Sequence, residues 1–123
     1  MKNKIYTAGY YGRDIIEFKA TVERLNAVVV DIRLVPQSRF TPEWRQKNLQ
    51  TLFGESYLHI KELGNKGFKE KRIEIADLEI GLEVVTQIKQ DMILLCACKD
   101  YEKCHRKVIA EELKVRGYKT EEL

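Results

Sequence analysis

The chain has 123 residues, 44% hydrophobic and 33% charged, and its 22 basic and 19 acidic side chains leave a net charge of +3. One domain over residues 1–123 is expected, because a chain of this length hides about two thirds of its unfolded surface and needs no disulfide staples. The composition speaks against a membrane protein, since apolar stretches such as Ala27–Val30 and Met92–Ala97 fall far short of the roughly 20 residues a spanning helix needs.

Met1 leads directly into a strand-like segment, so no export leader is expected. Three cysteines is an odd number. With a cytoplasmic, reducing location expected, they read as thiols and not as a disulfide framework. The mild positive charge permits an anionic partner without demanding one.

Strand-like and helix-like segments alternate along the chain. Ile5 to Ala8 is a first strand. Asp14 with Glu17 resembles a capping box, and Ile15, Phe18, Val22 and Leu25 recur at helical spacing. Ala27 to Ile32 is β-branched and apolar on both faces, as a central parallel strand should be. Thr41 followed by Pro42 reads as an N-cap with proline at the first helical position, and Gly54 as that helix's end. Tyr57 to Ile60 is a third strand, and Asp77 caps a helix reaching about Lys89. Met92 to Cys96 is a fourth strand. Asp100 caps a last helix ended by Gly117, and Tyr118 to Glu121 is a short fifth strand. This alternation predicts an α/β fold of three layers: a mostly parallel sheet of four or five short strands with helices on both faces. Such sheets bind ligands at the carboxyl ends of their strands.

Three segments gather at that end. In Thr7-Ala8-Gly9-Tyr10-Tyr11, Gly9 either makes a tight turn or lets a ligand approach the backbone, beside Tyr10. Asp31-Ile32-Arg33 runs on through Ser38 and Arg39. Arginine's planar donors suit phosphate or carboxylate, whereas Asp31 is expected to brace the loop.

The third segment is Cys96 through Arg106, with Cys104-His105-Arg106 in the first turn of the last helix. A helix start favours anions and lowers a thiol's pKa. Readings of it compete. Cys96, Cys98, Cys104 and His105 could serve zinc, but the spacing C-x-C-x5-C-H lacks the usual C-x2-C knuckle, so no residue is assigned to a metal and no cofactor is expected. A phosphatase-like or rhodanese-like nucleophile loop often has arginine or lysine six residues after the cysteine; here Glu102 stands six after Cys96 and Cys104 six after Cys98, so the pattern departs and that mechanism is not carried over. Otherwise Cys96 and Cys98 are small core residues. His59, near the end of strand three, is placed for a general base, although a lone histidine more often packs. Lys66 through Arg72 reads as a solvated basic loop, or as a backbone-tracking patch for nucleic acid.

Together these residues resemble the bacterial and archaeal domain of unknown function 488 family. The likeness rests on Thr7-Ala8-Gly9-Tyr10, on Asp31-Ile32-Arg33 with Pro36, Ser38 and Arg39, on Tyr57 and Leu63-Gly64, and on Leu94-Leu95-Cys96 followed by Cys104-His105-Arg106. Asn65 departs where the family often has a second glycine, and Cys98 where it often has an acidic residue. The resemblance implies a compact α/β domain and no particular activity.

The expected function is a phosphate-type or other anion site built by Gly9, Tyr10, Arg33, Ser38, Arg39 and Arg106. Catalysis is left open. If present, it would use Cys104 as nucleophile with His105 or His59 carrying the proton. The alternatives are a nucleic-acid domain, for which Lys66–Arg72 and an exposed Trp44 or Tyr10 speak, and a non-catalytic protein-interaction module whose partner the sequence does not specify.

Overall fold

The computed structural model describes residues 3–123; the expectation attached to Met1 lies outside them. Five strands, β1 (Lys4–Gly9), β2 (Val28–Asp31), β3 (Tyr57–His59), β4 (Met92–Cys96) and β5 (Lys119–Glu122), form one sheet in the order β3-β2-β4-β1-β5. Every pairing is parallel, which makes the sheet wholly parallel. Four helices connect it: α1 (Ile15–Leu25), α2 (Gln46–Phe53), α3 (Leu78–Thr86) and α4 (His105–Val115).

The three-layer expectation holds. From β1 the chain steps to β2 and then β3, toward one edge; from β3 it turns back to β4 and then β5. Right-handed crossovers place helices of opposite travel on opposite faces. Phe18 and Val22 of α1 and Leu49 of α2 accordingly share a core with Tyr6, Ala8, Val29, Ile93 and Leu95. Leu82 and Val85 of α3 and Ile109 and Leu113 of α4 pack on Ile5, Val28, Val30, Met92 and Leu94. Adjacent residues of each central strand thus enter different cores, the physical reason β2 and β4 are apolar throughout.

The reversal makes a switch point. Outgoing connections from β1 and β2 go to one face, and that from β4, which lies between them, goes to the other. The chain parts at the carboxyl end of β4, leaving the crevice where such sheets place ligands.

Capping follows the sequence in three places. Asp14 accepts from the Ile16 and Glu17 amides, Asp77 accepts from the Ile80 amide, and Gly54 ends α2 at φ +55°. Two helix starts differ from expectation. Pro42–Trp44 is a separate 3-10 turn whose cap position, Thr41, gives no side-chain bond to it, and extended backbone at Arg45 delays α2 to Gln46. Likewise Asp100 caps a short turn over Tyr101–Lys103, and Cys104 is extended before α4 begins at His105. In each case a buried side chain, Trp44 or Cys104, is turned inward by the break. α3 also stops at Thr86, short of the expected Lys89. Among the described residues, no helix is long and apolar enough to cross a membrane.

Candidate functional site

At the end of β1, Gly9 pairs in register with Cys96 of β4. A Cβ on Gly9 would lie 1.7 Å from the Cys98 carbonyl oxygen and 2.9 Å from Arg106 Nη1. Its φ is not positive. Glycine is required here because the chain's own β4–α4 loop crosses the strand end in contact with it.

Arg106 is 1% exposed and fully engaged. Nε and Nη2 donate to the Glu122 carboxylate at 3.1 and 2.6 Å, and Nη1 donates to the Cys98 carbonyl at 2.9 Å and to Cys96 Sγ at 3.2 Å. Burial opposes the guanidinium charge. The Glu122 bonds outweigh it, so the Arg106 pKa ends above its ordinary value. Thr7 Oγ1 also donates to Glu122, at 2.5 Å.

Arg33 is held in the same manner after β2. Nε and Nη2 donate to Asp31 at 2.8 and 2.6 Å, and the Arg33 amide adds a third bond at 3.1 Å. Asp31 therefore braces the loop as expected, and it also accepts from the Tyr57 hydroxyl at 2.6 Å. Burial works against the Arg33 charge, and Asp31 more than offsets it, raising the pKa. Burial likewise raises the Tyr57 pKa strongly, with the Asp31 charge adding to it. Arg33 Nη1 is buried and has no hydrogen-bond partner among the described residues. The guanidinium lies 5.2 Å from the centre of the Tyr10 ring, which stacks on Trp44 at 4.9 Å. Trp44 is 1% exposed, so the expectation of an exposed Trp44 is corrected: its ring completes a core with Phe18 and Tyr10.

The two histidines have structural bonds. His59 Nε2 meets the Arg33 carbonyl at 2.7 Å, and His105 Nε2 meets the Ile32 carbonyl at 2.8 Å. A carbonyl only accepts, so Nε2 carries the proton in both rings. In neutral His105 this leaves the Nδ1 lone pair on the side of Cys104 Sγ, 3.8 Å away. Cys104 is 1% exposed, and its sulfur lies 2.9 Å from Cys96 Sγ. Cys98 is the half-buried member of the three. Contacts with the Cys104 and Cys96 thiols hold its pKa well below the usual thiol value, with the Arg106 charge assisting. Those with Cys104 and Cys98, together with burial, push Cys96 up.

The predicted residues thus form two groups at one sheet end. Gly9, Cys104, His105 and Arg106 gather with Cys96 and Cys98 around the end of β4. Arg33, Ser38 and Arg39 belong to the β2–α2 loop. Tyr10 over Arg33, and His105 on the Ile32 carbonyl, tie the groups together. Ser38 is buried and its hydroxyl bonds Thr41, whereas Arg39 is exposed. Gln37, Ser38, Arg39 and Arg45 line an open groove of about 540 Å³. Arg45, which sequence reasoning missed, donates from Nε to the Ser38 carbonyl at 2.8 Å. Its signal was available as a further arginine in the same loop. Glu122 was also missed, and no local pattern marks a carboxylate 16 residues from its arginine.

In the Lys66–Arg72 stretch, Lys66 and Arg72 pair with Glu74, leaving a mixed-charge surface there. No curated protein and no solved structure matches the chain. A family model does match, over residues 15–113 and hence most of the fold just described, and the chain belongs to that family, Domain of unknown function DUF488.

Proposed function

We propose that the chain binds a small anion of the phosphate class in the groove of the β2–α2 loop. One observation carries this reading: the lining, Gln37, Ser38, Arg39 and Arg45, contains two guanidinium groups and no carboxylate. Arg33 and Arg106 are already neutralised by Asp31 and Glu122, whereas these two arginines have no acidic partner in the groove. Fork-shaped donors recognise phosphate or sulfate oxygens two at a time. The Arg45 bond to the Ser38 carbonyl fixes one fork in advance, which lowers the ordering cost of binding. Cys104 takes no part in this reading, since its buried sulfur faces Cys96 and not the groove.

The test is thermal unfolding against inorganic phosphate, sulfate, nucleotides, sugar phosphates and short oligonucleotides. A ligand at 100 times its Kd stabilises the fold by about 2.7 kcal/mol, a shift of about ten degrees for a chain of this size. The shift is expected with phosphate-bearing ligands, and is expected to fall to about half in Arg39→Ala, whose affinity drops about tenfold. No shift with any ligand, or an undiminished one in Arg39→Ala, overturns the reading. A shift with oligonucleotides alone that collapses with added salt would transfer the site to nucleic acid.

A further inference from the structure

Three thiols approach one point from two segments of the chain. Cys96 ends β4, Cys98 follows in the loop, and Cys104 returns just before α4. Their sulfur atoms lie within 4.8 Å of one another, and all three cysteines are free. The break between the Tyr101–Lys103 turn and α4 is what brings Cys104 inward. Contiguous helix from Asp100, as the sequence alone suggests, would carry that side chain along a different path.

The surroundings suit anionic sulfur. Arg106 Nη1 donates to Cys96 Sγ at 3.2 Å, placing a buried cation beside the cluster. His105 donates its Nε2 proton to the Ile32 carbonyl, which places Nδ1, the nitrogen left to bind a metal, 3.8 Å from Cys104 Sγ. A backbone carbonyl on the far nitrogen is the arrangement that orients metal-bound imidazoles. Cys96 and Cys104 are buried while Cys98 is only half-buried, so the cluster has one side nearer solvent.

We propose that Cys96, Cys98 and Cys104 form a trithiolate site for a soft cation, zinc in the first instance. The spacing is compatible with this. Zinc–sulfur bonds of about 2.3 Å place the corners of a tetrahedron roughly 3.8 Å apart, between the 2.9 Å of the Cys96–Cys104 pair and the 4.8 Å limit of the set. The ion therefore enters by widening the Cys96–Cys104 contact by roughly 1 Å. His105 Nδ1 or a water molecule supplies the fourth ligand. With no carboxylate in the set, hard cations such as magnesium and calcium do not fit. Thiols give up their protons as the metal–sulfur bonds form, so binding acidifies a weakly buffered solution. The site is separate from the anion groove, and either proposal can fail without the other.

The experiment uses the full chain, reduced with a phosphine, freed of reductant without air, and shown by thiol titration to keep all three thiols. Zinc is titrated against a chromophoric chelator, and cobalt(II) is added as a spectroscopic substitute. Stoichiometric zinc uptake and an intense thiolate-to-cobalt charge-transfer band are expected. Cys98→Ser, at the half-buried position where folding is least at risk, should weaken zinc binding by about 10–100-fold. Arg39→Ala should leave it unchanged. Reduced protein that takes up no zinc and gives no charge-transfer band overturns the proposal, as does undiminished binding in Cys98→Ser. If air instead joins Cys96 to Cys104 and reduced protein ignores zinc, the cluster is a disulfide pair in waiting and not a metal site.

Discussion

Arg106 and Glu122 meet as a two-pronged ion pair, 2.6 and 3.1 Å long, that joins the start of α4 to the last strand. Arg106 is buried, while the Glu122 side chain is about a third exposed. Removing one partner of a fully buried pair typically costs about 3–5 kcal/mol. Partial solvation of Glu122 lowers this, so Glu122→Ala should cost about 2–3 kcal/mol. Urea unfolding followed by the fluorescence of Trp44, the one tryptophan, measures it. A loss under about 0.5 kcal/mol would show that the β5 contact does not hold Arg106 in place.

Gly9 and Gly12 separate crowding from backbone strain. Alanine at Gly9 forces the Cys98 carbonyl and Arg106 aside, because its Cβ would sit 1.7 Å from that oxygen. Overpacking costs typically 1–3 kcal/mol and here at least about 3. Gly12 has φ +73° with open space around its Cβ, so alanine there costs only about 1 kcal/mol. Comparable losses at the two positions would contradict the packing at the end of β1.

Tyr57 supplies a pH dependence with a definite sign. Burial and Asp31 keep its hydroxyl protonated in the fold, above the ordinary value of 10.0 that governs the unfolded chain. The folded state thus retains a proton that the unfolded state releases in alkali. The contribution is fully present below about pH 10 and is lost as pH rises beyond it. Denaturation midpoints of the native protein should fall more steeply above that pH than those of Tyr57→Phe. Parallel curves for the two proteins would rule the effect out.

Arg39 and Arg45 should differ in kind. Arg39 is exposed, and its guanidinium lies 5.8 Å from the exposed Phe40 ring. Its removal should leave stability within about 0.5 kcal/mol while weakening phosphate binding about tenfold, by loss of a charged hydrogen bond of about 1.5 kcal/mol. Arg45 fastens the loop at the Ser38 carbonyl, so Arg45→Ala should lose both binding and about 1 kcal/mol of stability. Calorimetric titration with inorganic phosphate, beside urea unfolding, gives both quantities for each variant.

Much of the fold was legible in the chain. Val28–Val30 and Met92–Leu95 are apolar on both faces because each strand serves two cores, and that pattern is local. Asp14, Asp77 and Gly54 act on amides within their own turn, so their roles can also be read locally. The gathering of Gly9, Arg33 and Cys104-His105-Arg106 at one sheet end followed from strand direction alone. What each arginine does there did not. Asp31 lies two residues from Arg33, so its bracing could be anticipated, whereas Glu122 reaches Arg106 only because β5 pairs with β1.

The Cys96–Cys98–Cys104 cluster belongs to the same class of facts. Spacing argued against a zinc knuckle, but the break before α4 folds Cys104 back onto the strand end. By itself, the sequence determined the strands, the caps at Asp14, Asp77 and Gly54, and the end of the sheet where the unusual residues collect, because these depend on periodicity and nearest neighbours. Only the tertiary structure decided that Glu122 neutralises Arg106, that Cys104 meets Cys96 and that Trp44 is buried, because those contacts join residues that chain distance does not relate.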